Sequence, residues 1–236
     1  MPRLKTLLTL CRVSNLPTVW MNILCAAALA GALIDHPGGL ALVLIAVSAF
    51  YAAGMSFNDY CDRHWDAERQ PFRPIPSGRI GARTALRITL GLFALGFVCL
   101  YLAPHPRAPL AGAALVGVIL LYDWLHKRHW ATVGLMALTR LGVYLVAAVA
   151  LTGEIPALVW LVGALQGLYT LAVTAVARWE NHRIRPYPFP VIPWMIAAMG
   201  LLDGLVLAIA LHPAWLLAGV AVTLLTRLSQ RYVRGD

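Results

Sequence analysis

The chain has 236 residues, of which 60% are hydrophobic and only 12% are charged, and its mean hydropathy is +0.73. A soluble domain of this length normally carries about twice that charged fraction, so the composition argues against a water-soluble protein. The formal net charge of +9 would suggest nucleic-acid binding in a soluble protein. Here the basic residues lie between apolar segments, and we expect contact with a lipid bilayer and no nucleic-acid partner.

Hydropathy and turn residues predict eight membrane-spanning helices and hence an all-α, polytopic helical bundle. The predicted spans are 16–34, 40–57, 82–103, 108–122, 131–151, 157–177, 190–211 and 213–227. The N-terminus has no signal-peptide cleavage pattern, so we expect the first span to be retained. The four cysteines form no Cys-x-x-Cys pair and predict neither a disulfide nor a zinc framework. We treat residues 1–236 as a single membrane domain.

The basic residues are distributed asymmetrically between the predicted loops. With the N-terminus inside, every Lys and Arg lies on one side except Arg107, which is outside, and Arg140, which is within the fifth span. The positive-inside rule therefore predicts a multi-pass protein whose termini and longer loops are cytoplasmic, in a bacterial-type inner membrane. Snorkelling to anionic lipid accounts for the helical series Arg79, Arg83 and Arg87.

An acidic cluster follows the second span directly. Asp59, Asp62 and Asp66 are spaced i, i+3 and i+7, so on an α-helix they share one face. Three carboxylates at a membrane edge repel one another unless a cation joins them. Mg²⁺ prefers oxygen ligands and often completes its shell with substrate phosphates. The cluster predicts a diphosphate held through Mg²⁺ at the mouth of a membrane pocket; the alternative is a solvated acidic loop balanced by its arginines.

The two longer loops, 58–81 and 178–189, are similar to each other. Each follows the second helix of a four-helix half, and each contains Arg-Pro-x-Pro, at 73–76 and at 185–188. Two pseudo-repeated four-helix halves would bring these loops to opposite lips of one cavity. Chance similarity between loops rich in Pro and Arg is the alternative.

These segments resemble those of the UbiA superfamily of intramembrane prenyltransferases. The stretch NDYCDRHWD is similar to the family's NDxxDxxxD motif, and RPIPSGR follows it. Residues 12–18 resemble the start of the family's first helix, and 122–127 its Tyr-x-x-x-x-Lys segment. The resemblance implies a helical bundle around a central cavity, in which Mg²⁺ holds an isoprenyl diphosphate donor. It also implies transfer of the isoprenyl group to a lipophilic, often aromatic, acceptor.

The resemblance also implies roles for individual residues. The metal- and diphosphate-binding motif corresponds to Asn58, Asp59, Asp62 and Asp66. The basic groups that contact diphosphate oxygens correspond to Arg73 and Lys127. These six residues are the predicted catalytic and donor-binding set, although membrane topology alone would also account for the two basic residues.

The chain departs from the family pattern after the sixth helix. Where members usually carry a second aspartate motif, this chain has Glu180 as its only acid and Asn181 as a neutral oxygen donor. Glu180 is either a remnant ligand of a second metal or a loop acid paired with Arg178 or Arg183. Eight predicted spans are also one fewer than the nine helices of typical members, so we expect a terminal helix to be missing. This pattern resembles the divergent EboC-like branch.

Two polar residues lie within predicted spans. A buried guanidinium is costly unless paired, so Arg140 faces either a substrate phosphate or carboxylate, or Asp203, the only acid deep in a later span. Asn22 either lines the cavity and contacts substrate, or makes a hydrogen bond between helices.

The sequence thus predicts a Mg²⁺-dependent prenyl-transfer enzyme. The alternative is a non-catalytic or transport protein that binds a lipophilic or prenylated precursor in the same cavity. A soluble isoprenyl synthase with paired aspartate motifs is excluded by the eight apolar segments.

Overall fold

The computed structural model describes residues 4–125, 132–181 and 189–233, and the regular structure in these ranges is entirely helical. The all-α prediction is confirmed. A 3₁₀ turn at Val13–Asn15 joins the first two helices. The α-helices are α1 (Leu4–Leu10), α2 (Leu16–Leu29), α3 (Pro37–Arg69), α4 (Ala82–Tyr101), α5 (Ala108–Leu125), α6 (Val133–Thr152), α7 (Ala157–Asn181), α8 (Val191–Ala210) and α9 (Trp215–Tyr232).

Helices α2 to α9 coincide with the eight predicted spans, with ends that differ mostly by a few residues. Within the described ranges, α3 to α8 are long and apolar enough to cross a membrane, and the segment Val13–Leu29 is apolar but shorter. Many large apolar side chains on these helices are exposed, as expected for surfaces that face lipid. The protein is therefore an integral membrane protein. The repeat of two four-helix halves and the single-domain boundary stay predictions.

Helix α3 is much longer than its predicted span of 40–57. It has 33 residues and continues to Arg69, a length of about 50 Å, so the acidic cluster lies on a helix and not in a loop. No Gly or Pro occurs between Met55 and Gln70 to interrupt it. Pro71 then disfavours helical geometry at Gln70, whose φ is −136°.

The start of α2 and the end of α9 lie at the same face of the helical bundle. Gln230 near the end of α9 donates a hydrogen bond from Nε2 to Asn15 Oδ1, 2.9 Å away, just before α2 begins. At this face Arg12 also contacts Asp59, near the end of α3. The described parts of the chain therefore agree with the prediction that its two ends lie on one side of the membrane.

Helices α8 and α9 approach each other through glycines. Gly200 and Gly204 are four residues apart on α8, and a Cβ at Gly204 would lie 2.6 Å from Gly219 Cα on α9. Small residues at this spacing allow close backbone packing between membrane helices, where dispersion replaces the hydrophobic effect as the attractive force. This contact fixes α8, which carries Asp203, against the bundle.

We expect Gly204→Ala to destabilise the protein. The added methyl group meets backbone atoms of Gly219 that cannot rotate away, so it should lower the free energy of unfolding by about 1–3 kcal/mol. Denaturant titration of the protein in detergent measures the change. The matched control is Gly91→Ala on α4, where no atom lies within 4 Å of the new Cβ. Equal stability of the two variants would contradict this packing.

Candidate active site

A cavity of about 440 Å³ lies in the core of the bundle, as predicted, and is lined by α2, α3, α5, α6, α7 and α8. Its wall is mainly apolar. The amide and charged side chains that line it are Arg12, Asn15, Asn58, Asp62, Arg73, Asp123 and Arg140. The cavity therefore combines an apolar interior with a limited set of polar groups.

The three predicted aspartates share one buried face of α3. Asp59, Asp62 and Asp66 are 2%, 8% and 1% exposed, which confirms their predicted position on a common helix face. Asp62 lines the cavity. Asn58 lines it too, and its Nδ2 donates a hydrogen bond to Asp123 Oδ1 on α5, 3.1 Å away.

Two arginines from outside the spans reach this acidic face. Arg73 Nη1 lies 3.2 Å from Asp59 Oδ1 and 2.9 Å from Asp66 Oδ2, while its Nε donates to Gln70 Oε1. Arg12 Nη2 lies 3.3 Å from the same Asp59 oxygen. The guanidinium of Arg73 thus bridges two carboxylates, and the guanidinium of Arg12 makes a second ion pair with one of them, Asp59. The predicted balance of acids by arginines is present, but on a buried helix face.

The backbone before α2 explains how Arg12 reaches α3. Arg12 has φ 45° and ψ 45°, the left-handed region that non-glycine residues rarely adopt. Its carbonyl oxygen accepts a hydrogen bond from Tyr51 OH on α3. Beside it, burial and then the charge of Asp59 raise the pKa of the Cys11 thiol to about 11, so this thiol remains protonated at neutral pH.

The aspartates share a face without forming a metal-binding group by themselves. In the described part of the chain, no three Asp, Glu, His or Cys side chains lie close enough together to hold a metal ion. Asp59 and Asp66 direct oxygens at Arg73. The amide and carboxylate groups of Asn58, Asp62 and Asp123 are on the cavity wall. Mg²⁺ commonly uses one or two carboxylates together with water and substrate phosphates, so this donor set fits Mg²⁺ held jointly with a diphosphate.

Deeper in the bundle, Asp203 accepts hydrogen bonds from three helices. Asn22 Nδ2 lies 2.6 Å from Asp203 Oδ2, Gln166 Nε2 lies 3.1 Å from Oδ1, and Tyr144 OH donates to Oδ1. All four residues are fully buried. Because every one of these partners is a donor, the contacts suit an ionised carboxylate.

Arg140 is joined to this group through Asn22 and not directly. Its Nη1 lies 2.7 Å from Asn22 Oδ1, and its Nη2 lies 3.4 Å from Thr18 Oγ1. The direct Arg140–Asp203 pair is therefore replaced by an amide bridge. Arg140 lines the cavity, as one alternative predicted. Asn22 is not among the described residues that line it, and its hydrogen bonds to Tyr144, Asp203 and Arg140 fit the alternative of a contact between helices. Its role as a substrate contact stays a prediction.

The remaining predicted residues lie towards the loops. Lys127 falls in 126–131, outside the described residues, and so does the side chain of Asn181. Glu180 is at the end of α7, partly exposed, and is not among the described residues that line the cavity. Its role as a metal ligand stays a prediction.

Sequence reasoning missed three of the polar residues that line this cavity, Asn15 among them; the two that contact the acidic motif are Arg12 and Asp123. Both lie in segments that carry the family resemblance: Arg12 opens residues 12–18, and Asp123 follows Tyr122 in the Tyr-x-x-x-x-Lys segment. Their contacts with Asp59 and Asn58 depend on the packing of separate helices. The only sequence signal for these residues was that they lie in the two segments that resemble the family.

The fold and the site together define a class of membrane protein: a helical bundle around a central cavity with acidic and basic residues at one end. The profile of the UbiA prenyltransferase family matches residues 19–234, and the chain belongs to that family. The predicted family is confirmed. The matches do not separate its branches, so the EboC-like branch stays a prediction.

Several proteins are similar to the chain. Digeranylgeranylglyceryl phosphate synthase of Methanopyrus kandleri is 38% identical over 51% of this chain and 44% of its own length. 4-Hydroxybenzoate octaprenyltransferase of Chromohalobacter salexigens is 33% identical over 66% and 51%. The chain thus spans about half the length of these curated relatives. A solved structure of a digeranylgeranylglyceryl phosphate synthase shares the fold, with TM-score 0.65 and 19% identity over 99% of this chain and 96% of that one.

We expect Arg73→Gln to destabilise the protein, because it removes the guanidinium that two buried carboxylates share. Losing one partner of a buried ion pair costs about 3 kcal/mol or more in the free energy of unfolding. Denaturant titration in detergent tests this, with Arg83→Gln, at an exposed site on α4, as the control. Coincident unfolding curves for Arg73→Gln and the unsubstituted protein would show that the bridge is not needed.

Proposed function

We propose that the protein is a Mg²⁺-dependent intramembrane prenyltransferase. It transfers an isoprenyl group from a prenyl diphosphate to a lipophilic acceptor of the aromatic type. The observation that carries this proposal is the cavity itself: oxygen donors and a guanidinium (Asn58, Asp62, Asp123 and Arg73) share its wall with apolar side chains. A prenyl diphosphate matches this cavity, because its diphosphate head is polar and its hydrocarbon tail is apolar.

The polar end would hold the diphosphate. Asn58, Asp62 and Asp123 line the cavity, and their oxygens would bind Mg²⁺ together with the diphosphate. Bound Mg²⁺ would stabilise the negative charge that develops on the leaving group. Asp59 and Asp66 hold Arg73 in place for direct contact with diphosphate oxygens. By the family resemblance, Lys127 would be a second cationic contact, and Glu180 and Asn181 would be ligands near a second metal.

The reaction requires one bond exchange. The allylic C–O bond of the donor breaks and its electron pair leaves with the diphosphate, while the nucleophilic atom of the acceptor bonds to the allylic carbon and then loses its proton. Fixed positive groups aimed at the leaving oxygens lower the barrier because they stabilise charge only as it forms. Arg73 and Arg12, both on the cavity wall, would supply that stabilisation.

The apolar wall would hold the isoprenyl chain and exclude water, which would otherwise capture the allylic cation. The wall residues come from helices on different sides of the bundle and include Val47, Phe50, Leu115, Ile119, Val143 and Val173. The names of the relatives, one of them an octaprenyltransferase, support prenyl transfer as the activity. We also propose that residues 1–236 act as one domain with the cavity mouth facing the cytoplasm of a bacterial-type inner membrane, because the basic residues concentrate at that face.

Asp62→Ala should reduce pyrophosphate release from an isoprenyl diphosphate at least about a hundredfold, because one contact that stabilises the transition state is worth ~3 kcal/mol. The assay uses purified protein in detergent with Mg²⁺ and a panel of phenolic and lipid alcohol acceptors. Asp35→Ala is the control, since Asp35 is exposed in the loop between α2 and α3 at the opposite face. Undiminished release by Asp62→Ala would refute the assignment.

The same assay distinguishes the enzyme from the alternative, a non-catalytic or transport protein. The end of α7 offers Glu180 where a second aspartate motif is usual, which favours a protein that binds its ligand without turnover. Mg²⁺-dependent binding of the diphosphate with no pyrophosphate release for any acceptor would replace the enzyme by a non-catalytic or transport protein.

Asp123→Asn should raise the Mg²⁺ concentration needed for half-maximal donor binding about tenfold, because it removes one anionic oxygen from the proposed donor set. The measurement is a Mg²⁺ titration of binding to a non-hydrolysable prenyl thiodiphosphate. Asp35→Asn is the isosteric control. An unchanged titration would place Asp123 outside the metal shell.

A further inference from the structure

The buried polar residues around Asp203 form a chain of hydrogen bonds with a negative end and a positive end. Its negative end, Asp203, is 0% exposed and absent from the cavity wall, sealed behind Asn22 and Tyr144. Its positive end, Arg140, is on the cavity wall. The amide of Asn22 joins the two ends, with Nδ2 towards the carboxylate and Oδ1 towards the guanidinium. The group therefore presents only positive charge to the cavity.

The contacts of Arg140 fix the guanidinium without closing it off. Asn22 Oδ1 accepts from Nη1 and Thr18 Oγ1 accepts from Nη2, and both acceptors lie on α2. A guanidinium carries five N–H donors in a rigid fork, so these two hydrogen bonds to described residues leave donors for a ligand in the cavity, which Arg140 lines. A pair made only for helix packing would instead place Arg140 directly on Asp203, where both charges are neutralised most efficiently.

Arg140 is also separate in depth from the acidic end of the cavity. Val133 begins α6 at the face where α5 ends beside Asp123, and seven residues of helix place Arg140 about 10 Å further into the bundle. Arg73 already serves Asp59 and Asp66 at the mouth. The deeper cation therefore faces a different part of whatever occupies the cavity.

We propose that Arg140 recognises an anionic group on the acceptor, a carboxylate or a phosphate, and that Asn22 and Asp203 are positioning residues that hold it for this purpose. The inference rests on the proposed function, since it assigns the substrate class of the same cavity. A neutral hydrocarbon acceptor has no group to compensate a cation at this depth, whereas an oxyanion matches the fork of the guanidinium.

The test compares matched ligands on the full chain in detergent by isothermal titration calorimetry. One pair is a hydroxybenzoate and the hydroxybenzamide of the same shape; the other is an alkylglycerol phosphate and its uncharged alkylglycerol. We expect one anionic ligand to bind about thirtyfold more tightly than its neutral partner, a typical value for a desolvated charge pair. The pair that shows the difference identifies the anion as carboxylate or phosphate.

Variants connect this difference to Arg140. Arg140→Gln should abolish the preference for the anionic ligand, and Arg140→Lys should retain part of it, because Lys keeps the charge and loses the fork. The control, Arg107→Gln, changes an exposed arginine at the other face and should preserve the preference. A prenyl thiodiphosphate with Mg²⁺, measured in parallel, should bind Arg140→Gln and the unsubstituted protein equally.

Three results would overturn the inference. The first is equal affinity of the unsubstituted protein for charged and neutral ligands, a comparison that needs no variant to fold. The second is an undiminished preference in Arg140→Gln. The third is an equal loss of thiodiphosphate binding in Arg140→Gln, which would place Arg140 at the donor. If thiodiphosphate fails to bind the unsubstituted protein while the anionic ligand binds through Arg140, the inference stands and the prenyltransferase proposal fails.

Discussion

Compensation of buried carboxylates is the constraint on which the rest of the structure depends. A membrane bundle offers little water to solvate charge, so each acid must find donors or a cation within the protein. Asp59 and Asp66 find Arg73, and Asp203 finds Asn22, Tyr144 and Gln166. The contacts of Asp203 join helices far apart in the chain, whereas those of Arg73 join the end of α3 to the turn that follows it.

The unbroken course of α3 sets the geometry of the cavity mouth. Because the helix continues to Arg69, the acidic residues keep a fixed helical spacing beyond the apolar segment. Pro71 then ends the helix and lets the chain turn back, so that Arg73 reaches Asp59, fourteen residues earlier, and Asp66, seven residues earlier. The short turn of residues 70–73 therefore works as part of the site, since it returns a cation to the helix that precedes it.

The family, the helical class and the common face of the aspartates could all be predicted from the sequence. Apolar runs mark spans because the bilayer core requires them, and helical spacing alone places Asp59, Asp62 and Asp66 together. Partners of individual side chains could not be predicted in the same way. Sequence reasoning gave Asp203 as one of two alternative partners for Arg140, whereas the structure places Asn22 between the two residues. Which neutral side chain intervenes depends on the rotation of α2 against α6 and α8, and no local pattern encodes that.

The two groups of buried charge differ in where their cations originate. At the mouth, Arg12 and Arg73 lie in turns that flank spans, so their positions depend on short segments of chain and on the carboxylates themselves. In the interior, Arg140, Asn22, Tyr144 and Asp203 all lie on packed helices, and α8 is further fixed to α9 through its glycines. A change of hydrogen-bond partner by Arg12 or Arg73 is therefore less costly, because a turn can adjust without moving a helix. A cation that entered the mouth would compete with Arg73 for the oxygens of Asp59 and Asp66, whereas an anion would meet the guanidinium that these oxygens hold in place. The interior group has no such freedom, because each of its members could change partner only if a packed helix moved.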